Sequence, residues 1–362
     1  MRHSLALVHD FFSVKDGGGR LCLLLARAFK ADVVHGFKTK DTYDPEAFAG
    51  IHTFDLNAAT KIPGFKTAKL IRAFSRKTGF LRAYDTVIYS GELAPFAVQN
   101  HPEGRNIFYC HSPSRLAYDQ GDFHLEQAAF IVRPAMRTIV AHLQKAYPEL
   151  VSAMDAIIAN SENVRRRIQL YWGKDSTVIY PPCDTKRFRW RDHEGYYLSP
   201  ARLEPLKRVD LIVKAFLKMP DKRLIVVSGG SLFDSLRKTV KGASNIVFTG
   251  WVDDSRMEEL IGGAIATIYI PMQEDFGMSP VESMAAGKPV VGVSEGGLLE
   301  TVVHRETGIL LPPNPSAEDI IDAVQYLDAR KAAEMRDLCE QRAKRFDKEV
   351  FLREMGKLLQ VR

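Results

Sequence analysis

The chain has 362 residues, enough for about two domains at ~150 residues each. Hydrophobic residues make up 46% and charged residues 26%, a globular mixture that excludes a disordered chain or a low-complexity fibre. Fifty Lys and Arg against 44 Asp and Glu leave +6; so mild an excess does not make a nucleic-acid binder, but it favours anionic partners such as phosphates or an acidic membrane surface. The four cysteines, Cys22, Cys110, Cys183 and Cys339, are scattered with no C-x-x-C pair. That pattern argues against a disulfide framework or a thiolate zinc site and suits a reducing compartment. No apolar run approaches the ~20 residues of a membrane span. The apolar stretch within residues 1–12 is too short for a signal peptide and is closed by Asp10. A cytoplasmic protein is the expectation.

Short β-rich runs alternate with helical stretches from the start. Residues 4–8, 32–35, 86–89, 106–110, 156–159 and 178–180 read as strands, with helices after Gly19, after Gly91, across 126–145 and across 161–171. The strands are apolar throughout, as in a parallel sheet buried on both faces. Between them, residues 61–82 carry seven basic side chains and no acidic one. Leu70, Ile71 and Phe74 there follow helical spacing, while Lys66, Lys69, Arg76 and Lys77 can occupy other faces. This segment reads either as a helix packed on its own domain with a solvated basic face, or as a membrane-surface helix.

The segment Pro181, Pro182, Cys183, Asp184 and the polar run after it break the pattern and mark a domain boundary, giving domains 1–184 and 185–347. Strands resume at 196–199, 223–228, 245–248, 264–270 and 289–293, with helices at 208–218, 255–261, 280–286 and 316–327. Ser316 and Asp319 predict a capping box on the last of these. Repeated βα alternation predicts an α/β protein of two doubly wound parallel-sheet domains, with ligands at strand C-termini and in a cleft between domains.

Five places carry candidate chemistry. Gly17, Gly18 and Gly19 follow the first strand and open a helix, either as a purely structural turn or as a cradle of backbone amides for an anion. His111 lies just past the strand at 106–110. Arg202 and Lys207 lie past the strand at 196–199, where they suit a diphosphate, Arg through forked bonds and Lys as a point charge; the plainer alternative is a solvated loop paired with Glu204. Glu274 sits in a loop at a strand's carboxyl end. Glu282 follows Ser279 and Pro280, which read as a helix N-cap and first position, so it either closes a capping box or meets a ligand.

Taken together with Asn160, Ser161, Gly250, Trp251, Gly296, Gly297, Thr307 and Gly308, these motifs resemble the retaining glycosyltransferases of the GT-B class called family 4. The resemblance keeps the family's motif order and spans nearly the whole chain. Its most specific part is the Glu274 to Glu282 motif, within EDFGMSPVESMAAGKPVV. One departure is Arg20, where the family often has an acidic residue after its glycine turn.

The resemblance implies a nucleotide-sugar donor site mainly on the second domain. Arg202 and Lys207 would hold the diphosphate and Glu282 the ribose hydroxyls. Glu274 and the amides of Phe276, Gly277 and Met278 would contact the sugar, and Gly229, Gly230 and Val252 the base. Gly18 and Gly19 would approach the phosphate from the first domain, and His111 would lie beside sugar and acceptor. A final helix, about 348–362, would cross back to the first domain.

The resemblance is nearest to bacterial mannosyltransferases of surface-polysaccharide assembly. It therefore favours GDP-mannose over a UDP-sugar as donor, and a glycan or lipid-linked acceptor at the inner face of the cytoplasmic membrane. A non-catalytic nucleotide-sugar-binding scaffold of the same fold is the alternative. No Asp-x-Asp triple is present, so neither metal nor cofactor is expected.

Overall fold

The computed structural model describes residues 4–39, 42–61 and 65–360. Residues 1–3, 40 and 41 of the predicted first domain, residues 62–64 of the basic stretch and residues 361–362 of the predicted closing helix lie outside the described residues. The chain divides into two compact units, Met1–Tyr180 and Pro181–Arg362.

The first unit is built on β1 (Leu5–His9), β2 (Asp32–His35), β3 (Thr53–Asp55), β4 (Thr86–Ser90), β5 (Arg105–Cys110), β6 (Ala156–Ala159) and β7 (Thr177–Val178). They pair in the order β3-β2-β1-β4-β5-β6-β7, every pair parallel. Ala6, Leu7 and Val8 have no exposed surface, because helices α1 (Gly17–Phe29), α2 (Phe65–Lys77), α3 (Gly121–Gln127), α4 (Arg133–Ser152) and α5 (Glu162–Trp172) cover the sheet. Asp16 caps α1 by accepting from the Gly19 amide at 2.7 Å. Ser161 caps α5 in the same way through Val164, and Gly173 ends it at φ 64°.

The second unit carries β8 (Tyr196–Ser199), β9 (Arg223–Val227), β10 (Ile246–Gly250), β11 (Thr267–Ile268), β12 (Val290–Val293) and β13 (Gly308–Leu311) in the order β10-β9-β8-β11-β12-β13. These pairs are parallel as well. Its helices are α6 (Val209–Leu217), α7 (Phe233–Thr239), α8 (Asp254–Gly263), α9 (Met278–Ala285), α10 (Leu298–Thr301), α11 (Ala317–Tyr326), α12 (Ala329–Glu334), α13 (Arg336–Ala343) and α14 (Lys348–Gln360). The capping box of Ser316 and Asp319 is present at α11. Each sheet reverses its winding once, between β1 and β4 and between β8 and β11. Crevices at the carboxyl ends of such strand pairs are where doubly wound sheets bind ligands.

Several predicted elements are corrected. The helix expected across 126–145 is broken into α3, a short 3-10 turn Phe130–Val132, and α4. Pro134, which has no N–H to donate, sits in the first turn of α4, and the Arg133 guanidinium donates back to the carbonyls of Glu126 and Ala128. The helix expected after Gly91 is a 3-10 turn, Ala94–Asn100. The strand expected at 264–270 narrows to β11. The edge strands β3 and β13 carried no sequence signal strong enough to assign, being only three and four residues long and partly exposed. Among the described residues, no helix is long and apolar enough to cross a membrane.

Candidate active site

In the second unit the loop after β8 is fixed before it presents any side chain. The Leu203 amide donates to the Gly229 carbonyl at 2.9 Å, and the Leu203 carbonyl accepts from Leu232 at 2.9 Å. Glu204 accepts from the amide and hydroxyl of Ser231 at 3.1 and 2.7 Å, so it is engaged away from Lys207 and the local-pairing alternative fails there. Arg208 takes a left-handed φ of 51° and turns inward, bonding Glu295 at 2.8 Å and the Pro313 carbonyl at 2.6 Å. Its neighbour Lys207 bonds a different pair of groups.

Lys207 Nζ donates to Glu274 Oε2 at 2.6 Å and to the Tyr269 hydroxyl at 3.1 Å, and that hydroxyl donates to Glu274 Oε2 at 3.0 Å. Lys207 and Glu274 each keep about a fifth of their side-chain surface, 21% and 20%, so the pair is sheltered yet reachable. Burial, then the Glu274 carboxylate, pushes the Tyr269 phenol well above its ordinary range; Glu282 adds to this and Arg202 opposes it. The predicted residues Arg202, Lys207, Glu274 and Glu282 are therefore brought into one electrostatic neighbourhood. Tyr269 is the member that sequence reasoning missed. It lies in the apolar run just past β11, where its spacing reads as core.

The Glu274 loop is held by the turn that follows β12. The Gly297 amide donates to the Glu274 carbonyl at 2.9 Å. A Cβ on Gly296 would strike the Glu274 carbonyl, and one on Gly297 the Phe276 backbone, so both positions require glycine for close approach. Helix α9 begins at Met278 with Gly277 as its N-cap at φ 90° and no side-chain cap bond. Ser279 is therefore inside the helix and is not the predicted N-cap, and Glu282 does not close a capping box. Helix α9 thus starts directly after this loop, and a helix start is a suitable place for negative charge. Gly229 and Gly230 have packing reasons of their own: a Cβ on Gly229 would lie 2.6 Å from the Trp251 indole nitrogen, and one on Gly230 would strike the Leu203 carbonyl. Trp251 is 68% exposed, beside Val252.

In the first unit the chemistry also gathers where the winding reverses. His9 and Ser90 are register partners at the ends of β1 and β4. His9 Nδ1 donates to the Ser90 carbonyl at 2.7 Å, and the Ser90 hydroxyl bonds His111 Nε2 at 2.9 Å. A Cβ on Gly18 would lie 3.5 Å from His9 and 3.6 Å from His111, so both rings converge on the start of α1. The Gly19 amide, expected to face phosphate, is already bonded to Asp16. Burial lowers the pKa of His9, and burial with His9 as a neighbour lowers His111 to about 3; both rings are neutral near pH 7. Asp10 accepts three backbone amides, from Glu92, Leu93 and Ala94, capping the 3-10 turn. Burial nevertheless raises its pKa to about 6.

Beside His111 lies a cavity of 480 Å3, walled by the loops after β4 and β5 and by His124, Met136 and Leu143 of α3 and α4, with Thr67 of α2. The basic face of α2 is largely committed to the unit itself. Lys66 Nζ lies 3.5 Å from the Phe11 ring centroid, Lys69 donates to the Ala59 carbonyl, and Lys77 donates to the Leu56 carbonyl at 2.7 Å. Arg76 is exposed.

Residues 184–346 match the family described as glycosyl transferases group 1. The chain is 28% identical over 249 residues to the Saccharomyces cerevisiae alpha-1,3/1,6-mannosyltransferase ALG2, covering 54% of this chain and 47% of that protein. It is 40% identical over 275 residues to ALG2 of Rhizomucor pusillus, covering 60% and 58%. The chain thus spans about half the length of the curated relatives it matches. A crystal structure of Anabaena HepE in complex with UDP and glucose superposes with a TM-score of 0.79 at 17% identity, over 99% of this chain and 100% of that one. With the two doubly wound parallel sheets, that likeness makes the fold α/β of the GT-B type. The match to glycosyl transferases group 1 thus falls within the second unit of a chain with the GT-B fold.

Proposed function

We propose that the protein is a retaining, family 4 type hexosyltransferase that moves mannose from GDP-mannose to a glycan or lipid-linked acceptor, in assembly of a bacterial surface polysaccharide. The observation that carries this reading is the cluster of Lys207, Glu274 and Tyr269 with Arg202, at the point where the second sheet reverses. The ALG2 relatives favour mannose. The HepE complex, which contains UDP and glucose, keeps a UDP-sugar as the second reading.

Breaking the bond between the anomeric carbon and phosphate puts negative charge on the diphosphate and oxocarbenium character on the sugar. Lys207, Arg202 and the first-turn amides of α9 would stabilise that leaving group. Glu274 would hold a sugar hydroxyl while keeping Lys207 in place, and Glu282 would bind the ribose. Gly18 and His111 would serve the phosphate and acceptor from the first unit. A front-face displacement, in which the leaving phosphate accepts the acceptor's proton, retains configuration without an enzyme nucleophile.

The test is a thermal-shift series of the full chain with GDP, UDP, ADP and their sugars. A ligand that binds only the native state stabilises it by about 2.7 kcal/mol at ~100 times its Kd. GDP and GDP-mannose are expected to give the largest shifts, and a transfer assay should then show product with retained configuration. No shift with any nucleotide overturns the reading, and a shift confined to UDP ligands selects the second one.

A further inference from the structure

Glu92, just past β4 in the first unit, is held at three points. Its amide donates to Asp10 Oδ2 at 2.7 Å, and its carbonyl accepts from the buried Tyr147 hydroxyl. Its carboxylate accepts from the Ser114 hydroxyl at 2.6 Å through Oε1. The other carboxylate oxygen, Oε2, has no donor among the described residues, and the residue is exposed. The backbone and one oxygen are thus fixed, while the second oxygen keeps its lone pairs for a ligand.

The cavity that Glu92 walls says what kind of ligand. It is the 480 Å3 space beside His111, with apolar walls from Leu93, Met136 and Leu143. Its size and its few polar groups on an apolar wall suit a small molecule. Among the described residues that wall it, Arg115 alone carries a permanent positive charge, and it is paired to Asp119 at 2.7 Å. His111 is neutral near pH 7, since burial and then His9 lower its pKa to about 3. Asp10 stands behind Glu92 as a second carboxylate. The cation that faces Asp10 is Lys66, which rests on the Phe11 ring and is not among the cavity walls. The cavity therefore offers a hydroxyl a charged acceptor and meets a phosphate or carboxylate with like charge. Its apolar walls suit the C–H faces of a sugar ring.

We propose that Glu92 determines acceptor specificity: its carboxylate accepts a hydrogen bond from a hydroxyl of an uncharged sugar in this cavity and repels acceptors bearing phosphate or carboxylate there. This rests on the transferase reading and narrows the part of the acceptor that meets the first unit to a neutral glycosyl group. The role is recognition, and the proton of the reacting hydroxyl goes to the leaving phosphate as before.

The experiment is a ligand-observed NMR titration of the full chain, with and without GDP. The probes are the methyl glycosides of mannose, glucose and galactose, and mannose 6-phosphate as the anion. At least one methyl glycoside is expected to bind the parent about tenfold or more tightly than the phosphate. Glu92→Ala should weaken that glycoside about tenfold, the usual loss for one hydrogen bond to a charged group. Glu92→Gln keeps the size and an oxygen acceptor but not the charge, so the preference over the phosphate should shrink to about threefold or less. The side chain is exposed, so both variants should match the parent in melting temperature and in thermal shift with nucleotide. A purely structural residue would leave the ratio of neutral to anionic binding unchanged. The assignment is overturned by a parent that binds no glycoside or prefers the phosphate. It is also overturned by Glu92→Ala binding the glycoside like the parent, or by Glu92→Gln keeping the full preference. Glu92-dependent glycoside binding in a chain that shifts with no nucleotide would instead count against the transferase reading alone.

Discussion

Lys207 and Arg208 are adjacent cations with opposite commitments. Arg208 is buried and bonded to Glu295 and the Pro313 carbonyl, whereas Lys207 meets Glu274 and Tyr269 at the end of a strand. Lys207→Ala is expected to lower transfer by ~10²-fold or more, the usual effect of removing one preorganised donor to developing charge, with the melting temperature little changed. Tyr269→Phe keeps the Lys207–Glu274 bond and should cost less. Steady-state rates of the two variants check the order, and equal rates for Lys207→Ala and parent would end the phosphate assignment. A different residue, with His9 and His111, contributes to the acid response. His35 is fully buried, and among the described residues neither ring nitrogen has a hydrogen-bond partner. Burial lowers its pKa to about 4. The unfolded chain therefore takes up a proton below about pH 6.5 that the native state refuses until about 4, so this contribution to stability is present above 6.5 and lost as pH falls. His35→Leu loses no hydrogen bond and does not titrate. Relative to parent it should gain about 1.4 kcal/mol per pH unit across that window, read from urea midpoints near pH 7 and pH 5. A difference that does not change with pH would refute it.

At the scale of elements, the positions of strands and of strand-end loops were readable from sequence, because continuous apolar runs and terminal glycines report burial and sharp turns directly. The register of His9 against Ser90 was not. It depends on which strands become neighbours, and β4 is separated from β1 by two intervening strands. Helix starts were readable where a side chain caps them, as at Ser161 and Ser316. The start of α9 was misread, since Ser279 and Pro280 look like a cap while Gly277, with no side chain to bond, is the residue that turns the chain. Tyr269 was hidden for a related reason: its ring is core and only its hydroxyl belongs to the site. The turn after β12 gives the test at this scale. Gly297 has an ordinary helical φ of −70°, so alanine is not strained there by its own backbone, but its Cβ would strike the Phe276 backbone. Gly297→Ala should displace the Glu274 loop and sharply lower transfer and donor affinity. Its far-ultraviolet circular dichroism should stay that of the parent. Unchanged donor binding would show that the turn does not hold the loop.

For the molecule as a whole, the proposed transfer raises the question of what would balance a donor's diphosphate. The chain carries a formal charge of +6, which draws an anionic donor in without fixing it. On the proposed reading, fixing it would fall to groups at the reversal point of the second sheet, where Arg202 and Lys207 stand with the first turn of α9. Glu274 offsets part of that charge, and by tying Lys207 at 2.6 Å it keeps the ammonium from folding onto a carbonyl, as Lys69 and Lys77 do in the first unit. Among the described residues no three His, Cys, Asp or Glu side chains gather closely enough to hold a metal ion, and a divalent cation would come as an addition to the two fixed side-chain cations. Fixed cations already preorganised in a sheltered site gain little from one that must first be dehydrated. Transfer measured in excess EDTA should therefore stay within about twofold of the untreated rate. Abolition by the chelator with recovery on adding magnesium or manganese would show that Arg202 and Lys207 do not carry the leaving group's charge alone.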